Sequence, residues 1–539
     1  MSLRSGACAA AVACLFLIAF GAADLRIGQG NLDPVGGISA QDEAVYSHAA
    51  LRMAEQGGWL TPVFLGRYFL YKPPLVYWLS GLSVKLLGAS AFSLRLPSIL
   101  AGTAVCLLLY LWTARQAGLW RAVLAAALAA SSPLFLSLMR RNLTDSLLCL
   151  TFSAAVFLLW RDASAGKRST AIILAIALAG GILTKGVAGL TAFGVAGILM
   201  LIAETPARKR IALAMAGGLA LALPWFLYQM AAHPRWFWAE FVEVELLAWG
   251  ASAPPQTSEE SQAWFYLKRL FLTDPWLAVL SLAGAPALVM RLREANRDSY
   301  PLALWIVTAA ASPLVFQYRN ATYLLPLIPA LALAAAIHAP LPRGPRAWLN
   351  GLAALALVSG KFMLPGAPWG LNQGATDPPP AFALAERYCA MNRGNELIIV
   401  SLAEDFYSTV LPLPRVRYAL EGTGQPPAGF ALDFRSMGIV VSSFEFRQLD
   451  THRPSFAARL RQWGLDSEDA LATVIALPNP PADLATLVRQ SAHADFLVPA
   501  RFAALTADAP HWRVVDGHGN LLLLGTTAGA NPHHRACRM

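Results

Sequence analysis

Residues 75–88, Leu75-Val-Tyr-Trp-Leu-Ser-Gly-Leu-Ser-Val-Lys-Leu-Leu-Gly88, decide how this chain is folded. The stretch is apolar, yet it is shorter than the roughly 20 residues that an α-helix needs to cross a bilayer. Polar or amphipathic side chains interrupt it at Tyr77, Trp78, Ser80, Ser83 and Lys85. Because an amphipathic helix of this kind lies in the plane of the membrane interface, we predict that residues 75–88 do not cross. The side of the membrane that every later segment reaches depends on this choice.

The composition indicates a membrane protein with many spans. The 539 residues are 56% hydrophobic and only 14% charged, whereas soluble domains carry roughly 25% charged residues; the mean hydropathy is +0.49. The net charge of +10 does not indicate nucleic-acid binding, because Lys and Arg lie in short loops between apolar runs, where they orient the spans. The six cysteines show no CxxC or zinc-ligand spacing, so no disulfide framework is implied.

The apolar runs predict eleven crossings. The first, residues 7–22, is interpreted as an uncleaved signal anchor, with a signal peptide cleaved near Gly21 as the alternative. The other ten are residues 93–113, 118–138, 145–160, 169–184, 187–203, 210–230, 270–290, 300–316, 320–338 and 347–365. With interfacial helices inside the first outer loop, and with uncertain span ends, this is a polytopic α-helical protein of about 11–13 transmembrane helices.

Basic residues between these spans fall on one side of the membrane. They are Arg115, Arg121, Arg161, Lys167, Arg168, Arg208, Lys209, Arg210, Arg291, Arg293, Arg297, Arg343 and Arg346. By the positive-inside rule that side is cytoplasmic. The opposite, outer side carries loops 23–92, 139–144, 185–186, 231–269 and 317–319. If residues 75–88 crossed, the basic loops would lie outside, so the charge pattern favours the interfacial helix.

The composition changes after the last span. We predict a transmembrane domain over residues 1–365, a proline-rich linker over 366–384 and a soluble α/β domain over 385–539. Short β-branched runs beginning at Leu397, Gly438, Trp512 and Leu521 indicate strands, and residues 456–463 and 481–490 indicate helices. An odd number of crossings puts this domain in the periplasm, where a structural or acceptor-guiding role is expected.

Ionisable residues collect in the outer loops. The first loop holds the pair Asp42-Glu43 and Lys72, the second ends at Asp145, and Arg319 and Tyr323 lie at the entry to a later span. Each has an ordinary alternative: a solvated turn or helix start for the acidic pair, a helix N-cap for Asp145, a headgroup contact for Lys72 and a topology charge for Arg319. Because ionisable groups at membrane depth are costly, their collection on one face indicates an active site.

An ordered set of motifs resembles a known family. It comprises Asp42-Glu43, Lys72-Pro73-Pro74 with Tyr77-Trp78, Arg95-Leu-Pro97, Ser132-Pro133, Leu183-Thr-Lys185-Gly186 and Tyr323-Leu-Leu-Pro326. Over roughly residues 5–340 the chain resembles the membrane glycosyltransferases of the GT-C type that use polyprenyl-phosphate sugars, with lipid A aminoarabinose transferases and protein O-mannosyltransferase-like enzymes as the nearest groups. The resemblance implies the GT-C fold, a site facing the periplasm of a bacterial inner membrane, and no nucleic-acid partner.

The resemblance also implies a role for each candidate residue. Asp42 matches the aspartate that acts as general base or positions the acceptor, which would give an inverted linkage in one displacement. Positive charge for the leaving polyprenyl phosphate is expected from Lys72, Arg319 and Lys185, with Tyr323 beside them. The acceptor cavity is expected to involve Glu43, Asp145, Tyr46 and Tyr71. The acceptor would be lipid A, another glycan or a protein of the envelope.

Two positions depart from the aminoarabinose transferases. They usually carry an acidic residue before the Lys-Pro motif, where this chain has Tyr71, and an arginine where it has Val45. The first departure removes an expected metal ligand, so the sequence does not decide whether the reaction needs a metal ion. A divalent cation is the one cofactor considered. His233 could be a metal ligand, but the sequence shows no partner ligands for it. The competing function is a lipid or glycan transporter or flippase without catalysis, which the lack of repeated halves disfavours. A membrane scaffold that works through its C-terminal domain is a third reading.

Overall fold

The computed structural model describes residues 38–64, 67–89, 91–166, 168–248, 261–315 and 319–363 of the predicted membrane domain. Toward the C terminus it describes residues 384, 387–388, 391, 396–401, 417–421, 474–477, 494–500, 503, 512–519 and 521–526. The predicted signal anchor at 7–22, the predicted strand at Gly438 and the predicted helices at 456–463 and 481–490 lie outside the described residues.

Two helices that pack against each other lie in the predicted first outer loop: α1, Ile38–Gln56, and α2, Leu75–Leu87. Helix α1 ends where Gly57 and Gly58 adopt φ angles of +81° and +72°, which only glycine reaches at little cost. An antiparallel hairpin, β1 Val63–Phe64 and β2 Arg67–Tyr68, follows it. Gly81 permits the close packing, because a Cβ there would lie 3.1 Å from the carbonyl oxygen of Ala50.

Helix α2 has the extent that the sequence predicts. Its 13 residues span about 20 Å at a rise of 1.5 Å per residue, against a hydrocarbon core of about 30 Å. Tyr77 and Ser80 are buried on one face, whereas Leu82, Leu86 and Leu87 are exposed on the other. A helix of this length does not cross alone, and its orientation in the interface plane stays a prediction.

Each predicted span between residues 93 and 365 contains at least one helix. These helices are α3 Ala91–Ala117, α4 Leu119–Ser131, α5 Pro133–Leu138, α6 Thr144–Ala165, α7 Arg168–Lys185, α8 Thr191–Ile202, α9 Thr205–Ala232, α11 Gln262–Thr273, α12 Pro275–Arg293, α13 Tyr300–Val315, α14 Leu327–His338 and α15 Leu349–Met363. The short helix α10, Pro234–Phe237, and a π-helix, Trp238–Ala248, lie between α9 and α11. Two of the predicted spans, 118–138 and 270–290, are each divided between two helices.

Six stretches of the described residues are long and apolar enough to cross a membrane. They are Phe92–Ala117, Thr144–Arg161, Arg168–Ile202, Thr205–Ala232, Pro275–Arg293 and Ala321–His338. The stretch Arg168–Ile202 is 35 residues long and contains two of the predicted spans. The predicted membrane-protein character is therefore confirmed, and the number of crossings stays a prediction.

A sharp break separates α7 from α8. The 3-10 turn Gly186–Leu190 begins directly after Lys185, and Gly186 has a φ angle of +54°. A Cβ at Gly189 would lie only 2.2 Å from the carbonyl carbon of Gly181, so the turn folds back onto the backbone of α7. This contact fixes Lys185 at the end of α7.

The sequence predicts only that Arg121 orients its span in the membrane, but the residue also has a packing role in the fold. Its side chain is buried and donates hydrogen bonds to the carbonyl oxygens of Ala336, Ile337, Ala339 and Leu341, at 3.3, 3.0, 3.4 and 2.7 Å. The last carbonyls of a helix have no partner within the helix. Arg121 therefore caps the C-terminal end of α14.

The C-terminal strands form one mixed sheet of six strands in the order β5-β4-β3-β6-β8-β7. Their bounds are β3 Glu396–Ser401, β4 Arg417–Glu421, β5 Val474–Leu477, β6 Ala494–Pro499, β7 Trp512–His518 and β8 Leu521–Thr526. The first four strands of this order are parallel, and β8 pairs antiparallel with both β6 and β7. The strands predicted at Leu397, Trp512 and Leu521 correspond to β3, β7 and β8.

Candidate active site

Glu43 is buried in an ion pair. Arg95 donates to it twice, from Nε to Oε1 at 2.7 Å and from Nη2 to Oε2 at 3.0 Å, which is the strong bidentate geometry. The backbone N–H of Asn142 donates to the same Oε1 at 3.0 Å. We expected Glu43 in the acceptor cavity, or in a solvated turn. With 1% of its surface exposed, it instead holds α1 against α3 and the segment that precedes α6.

The side chain of Asn142 ties the same elements together. Its Oδ1 accepts a hydrogen bond from Ser80 Oγ at 2.8 Å, and its Nδ2 donates to Ser47 Oγ at 3.0 Å. Asn142 is 1% exposed, and buried polar groups that are fully satisfied specify one arrangement of the elements they join. Asn142 therefore fixes α1 and α2 relative to the start of α6, where Asp145 lies.

Asp42 precedes Glu43 on α1 but is exposed. Successive residues on an α-helix point about 100° apart, so one carboxylate can enter the protein while the other stays outside. Burial raises the pKa of the Tyr46 hydroxyl well above its usual value, and the charges of Asp42, Glu245 and Asp145 raise it further. Carboxylates from three separate elements thus lie within electrostatic reach of one hydroxyl.

Lys185 and Asp145 form one ion pair of the site. The Lys185 Nζ donates to Asp145 Oδ1 at 2.7 Å, and both side chains are largely buried, with 13% and 14% exposed. The same ammonium lies 5.2 Å from the ring centroid of Tyr323, a cation–π distance. The structure thus brings together three candidate residues that are far apart in the sequence.

Lys72 forms a second ion pair, with a residue that the sequence did not single out. Its Nζ donates to Glu245 Oε1, with 14% and 19% of the two side chains exposed. Tyr71 occupies the position where the resemblance led us to expect an acidic neighbour for Lys72. The carboxylate comes instead from the π-helix Trp238–Ala248. The sequence signal for it was weak: three glutamates, Glu240, Glu243 and Glu245, in an otherwise apolar and aromatic segment.

An aromatic cluster joins α1, α2 and the segment that precedes α2. Tyr46 contacts Phe69 and Tyr77, with ring centroids 6.2 and 5.8 Å apart, and Phe69 stacks on Tyr71 at 5.9 Å. Burial also raises the pKa of Tyr77 well above its usual value, with the charge of Asp42 the next cause. The Tyr46 and Tyr77 hydroxyls are therefore neutral at pH 7 and do not act as bases.

Arg319 lies at the next outer connection. Burial raises the pKa of Tyr266, while the backbone N–H of Asn320 and the charge of Arg319 oppose this rise. That N–H donates to the Tyr266 hydroxyl at 3.4 Å. The 3-10 turn Ala321–Leu324 then leads to Tyr323. The short turn thus connects Arg319 along the chain to Tyr323, whose ring contacts Lys185.

His233 docks the first outer loop on α9. Its Nε2 lies 3.2 Å from Thr61 Oγ1, its ring lies 4.0 Å from that of Tyr68, and burial lowers its pKa. Gln229 Nε2 and Trp225 Nε1 both donate to the carbonyl oxygen of Leu60, at 2.7 and 2.8 Å. Among the residues that the structure describes, no group of three or more His, Cys, Asp or Glu side chains could hold a metal ion.

The sequence has relatives among polyprenyl-phosphate enzymes. Residues 71–228 match the family described as dolichyl-phosphate-mannose-protein mannosyltransferase. The undecaprenyl phosphate-alpha-4-amino-4-deoxy-L-arabinose arabinosyl transferase of Enterobacter sp. is 29% identical over 351 residues, 61% of each chain. The protein of the same name from Pectobacterium atrosepticum is 29% identical over 335 residues, 58% of this chain and 55% of that protein. The chain thus matches between 55% and 61% of the length of these relatives.

Solved structures share the architecture over nearly the whole chain. The crystal structure of ArnT from Cupriavidus metallidurans bound to undecaprenyl phosphate has a TM-score of 0.62 and 15% identity, covering 98% of this chain and 99% of that one. The same protein in the apo state has a TM-score of 0.51 and 16% identity, covering 90% and 93%. At such identities the likeness shows the fold alone, and that fold is the helical GT-C membrane architecture predicted from the sequence.

Proposed function

We propose that this chain transfers a sugar from a polyprenyl-phosphate donor to an envelope acceptor at the periplasmic face of the bacterial inner membrane. The observation that carries the proposal is the exposed carboxylate of Asp42 on the same helix as Tyr46, a buried residue on which the charges of Glu245 and Asp145, one from each lysine ion pair, also act. The names of the sequence relatives and the undecaprenyl phosphate bound by the ArnT structure give further support.

Asp42 acts as the general base in this proposal. The acceptor hydroxyl attacks the anomeric carbon, its proton passes to the Asp42 carboxylate, and the bond from the anomeric carbon to the phosphate oxygen breaks with its electron pair. A single displacement of this kind inverts the anomeric configuration. Glu43 is unsuited to the same role, because its two oxygens already accept three hydrogen bonds from Arg95 and Asn142.

The leaving group is a phosphate, which requires positive charge and not a proton. Lys72, from the segment before α2, and Lys185, from the end of α7, supply ammonium groups. Arg319 supplies a guanidinium that can bind phosphate through two parallel hydrogen bonds. Tyr323, whose ring lies under Lys185, fixes the position of that ammonium. Tyr46 and Tyr71 line the cavity with aromatic surface, and Asp145 holds Lys185 until the donor arrives.

Transfer of a labelled sugar in proteoliposomes tests the function. The purified chain is supplied with an undecaprenyl-phosphate sugar and a crude envelope acceptor fraction, and labelled product is measured with time. We expect product with inverted linkage and release of undecaprenyl phosphate. Movement of the labelled lipid between leaflets without release of undecaprenyl phosphate would instead identify a flippase and overturn the proposal.

A further inference from the structure

The π-helix Trp238–Ala248 holds the loop that carries Lys72 with two glutamates. The buried carboxylate of Glu240 accepts a hydrogen bond from the backbone N–H of Leu70, and Glu245 accepts from Lys72 Nζ. The two contacts lie on opposite sides of Tyr71 in the sequence. π-Helices are rare, and the single-turn π-bulges in which they mostly occur are frequent at functional sites.

Aromatic packing joins this segment to the residues next to both lysines. Phe237 and Phe241 are buried in one cluster with Leu70 and Trp225. A Cβ at Gly186 would lie 3.2 Å from the Phe241 ring and 3.9 Å from Pro73. Phe241 therefore packs on Gly186, the residue that follows Lys185, and Gly186 in turn lies close to Pro73, the residue that follows Lys72.

Glu245 and a donor phosphate need the same hydrogen-bond donors. Lys72 Nζ is a compact charge with three N–H donors, and it is already paired with Glu245. If both anions stayed on one ammonium, two negative groups would lie side by side at a largely buried site, which is unfavourable. Binding of the phosphate is therefore favoured when Glu245 withdraws.

We propose that Glu245 is a positioning residue that holds Lys72 in place without donor and is displaced when the donor phosphate binds. This rests on the proposed function, in which Lys72 binds that phosphate. Glu245 thereby sets the affinity for the donor: the stronger its pair with Lys72, the weaker the phosphate binds. It does not touch the reacting atoms.

The test measures the Kd of undecaprenyl phosphate for the full-length protein in detergent. We expect Glu245→Gln to tighten binding about fivefold, the order of one partly exposed ion pair. Lys72→Met should weaken binding, and the double variant Lys72→Met with Glu245→Gln should bind like Lys72→Met alone, because the competition needs the ammonium. Glu204→Gln, which removes an equal charge from an exposed pair with Arg297, is the matched control and should leave the Kd unchanged.

The binding measurements test the role of Glu245 and the role of Lys72 separately. Unchanged or weaker binding by a folded Glu245→Gln protein overturns the proposal, since a merely structural glutamate would behave in that way. Tighter binding that persists in the Lys72→Met background also overturns it, because the effect would then be general repulsion. Parental binding by Lys72→Met rejects instead the function proposed for Lys72. If Glu245→Gln folds poorly, Glu245→Asp takes its place and should tighten binding to a smaller extent.

Discussion

Two adjacent carboxylates, Asp42 and Glu43, have different environments in this protein. Glu43 is saturated by Arg95 and Asn142 in the interior, whereas Asp42 is exposed beside the aromatic cluster. Removing one partner of a buried pair costs about 3–5 kcal/mol. Loss of Glu43 should therefore affect folding, and loss of Asp42 should affect transfer.

The first prediction concerns Asp42. Asn at this position keeps the size and polarity but cannot take a proton, so Asp42→Asn should lower the transfer rate by about 10²–10⁴-fold while donor binding and thermal stability stay parental. Glu55→Gln, the same chemical change at an exposed position of α1, is the control. A folded, donor-binding Asp42→Asn protein with the parental rate would show that Asp42 is not the base.

The second prediction concerns the phosphate-binding cations. Lys72→Met and Arg319→Met should each weaken binding of the polyprenyl-phosphate sugar by about 1.5–3 kcal/mol, the range for a hydrogen bond to a charged group. At saturating donor, the dependence of the transfer rate on acceptor concentration should change little. Donor Kd in detergent measures the effect. Equal affinity of Lys72→Met and the parent would remove Lys72 from the donor site, and Arg319 is judged in the same way.

At the scale of elements, the break between α7 and α8 carries a third prediction. Even one methyl group at Gly189 would collide with the backbone of Gly181. Overpacking of this kind costs typically about 1–3 kcal/mol. Gly189→Ala should therefore lower thermal stability and, by moving the turn after Lys185, weaken donor binding. Gly194→Ala is the matched control, since a Cβ at Gly194 meets nothing within 4 Å. Parental stability and binding of Gly189→Ala would contradict the close contact.

The bounds of α2 follow from its local sequence, whereas the packing of α1 on α2 does not. The extent of α2 follows from its apolar pattern and from Gly88, whose φ angle of +85° ends the helix. The packing of α1 on α2 depends on Gly81 and on the hydrogen bonds of Asn142, which no local pattern reveals. This packing fixes the position of α1, the helix that carries Asp42.

At the scale of the whole molecule, the fourth prediction concerns topology. Residues 23–92 and 366–539 are predicted to be periplasmic because the basic loops lie on the other side. In a variant without the six native cysteines, single cysteines near positions 57 and 430 should react with a membrane-impermeant thiol reagent in intact spheroplasts. Reaction only after the membrane is opened would refute the odd number of crossings and, with it, the interfacial α2.

Much of the fold could be predicted from the sequence, because span length and loop charge are local properties. The helical membrane architecture is confirmed, and the structure brings Lys185, Asp145 and Tyr323 together as their outer positions suggest. The partners Glu240 and Glu245 were missed, because a glutamate in an apolar outer segment gives no sign of which loop it will contact. Pairing across 173 residues is a property of the tertiary fold.

The charge of Arg121 is predicted to act first during membrane insertion and later in the packing of the folded protein. While the chain is being inserted, a cation at the start of α4 is predicted to help retain this end of the span on the cytoplasmic side. Once the spans assemble, the same guanidinium is buried and binds the carbonyls at the end of α14. The fifth prediction follows: Arg121→Lys should insert with parental orientation, because the charge is kept, yet unfold at a lower temperature, because an ammonium cannot reproduce the planar fork. Protease accessibility of the loops reports the insertion, and thermal unfolding in detergent reports the assembly, so a biogenesis signal and a packing contact can be measured separately at one residue.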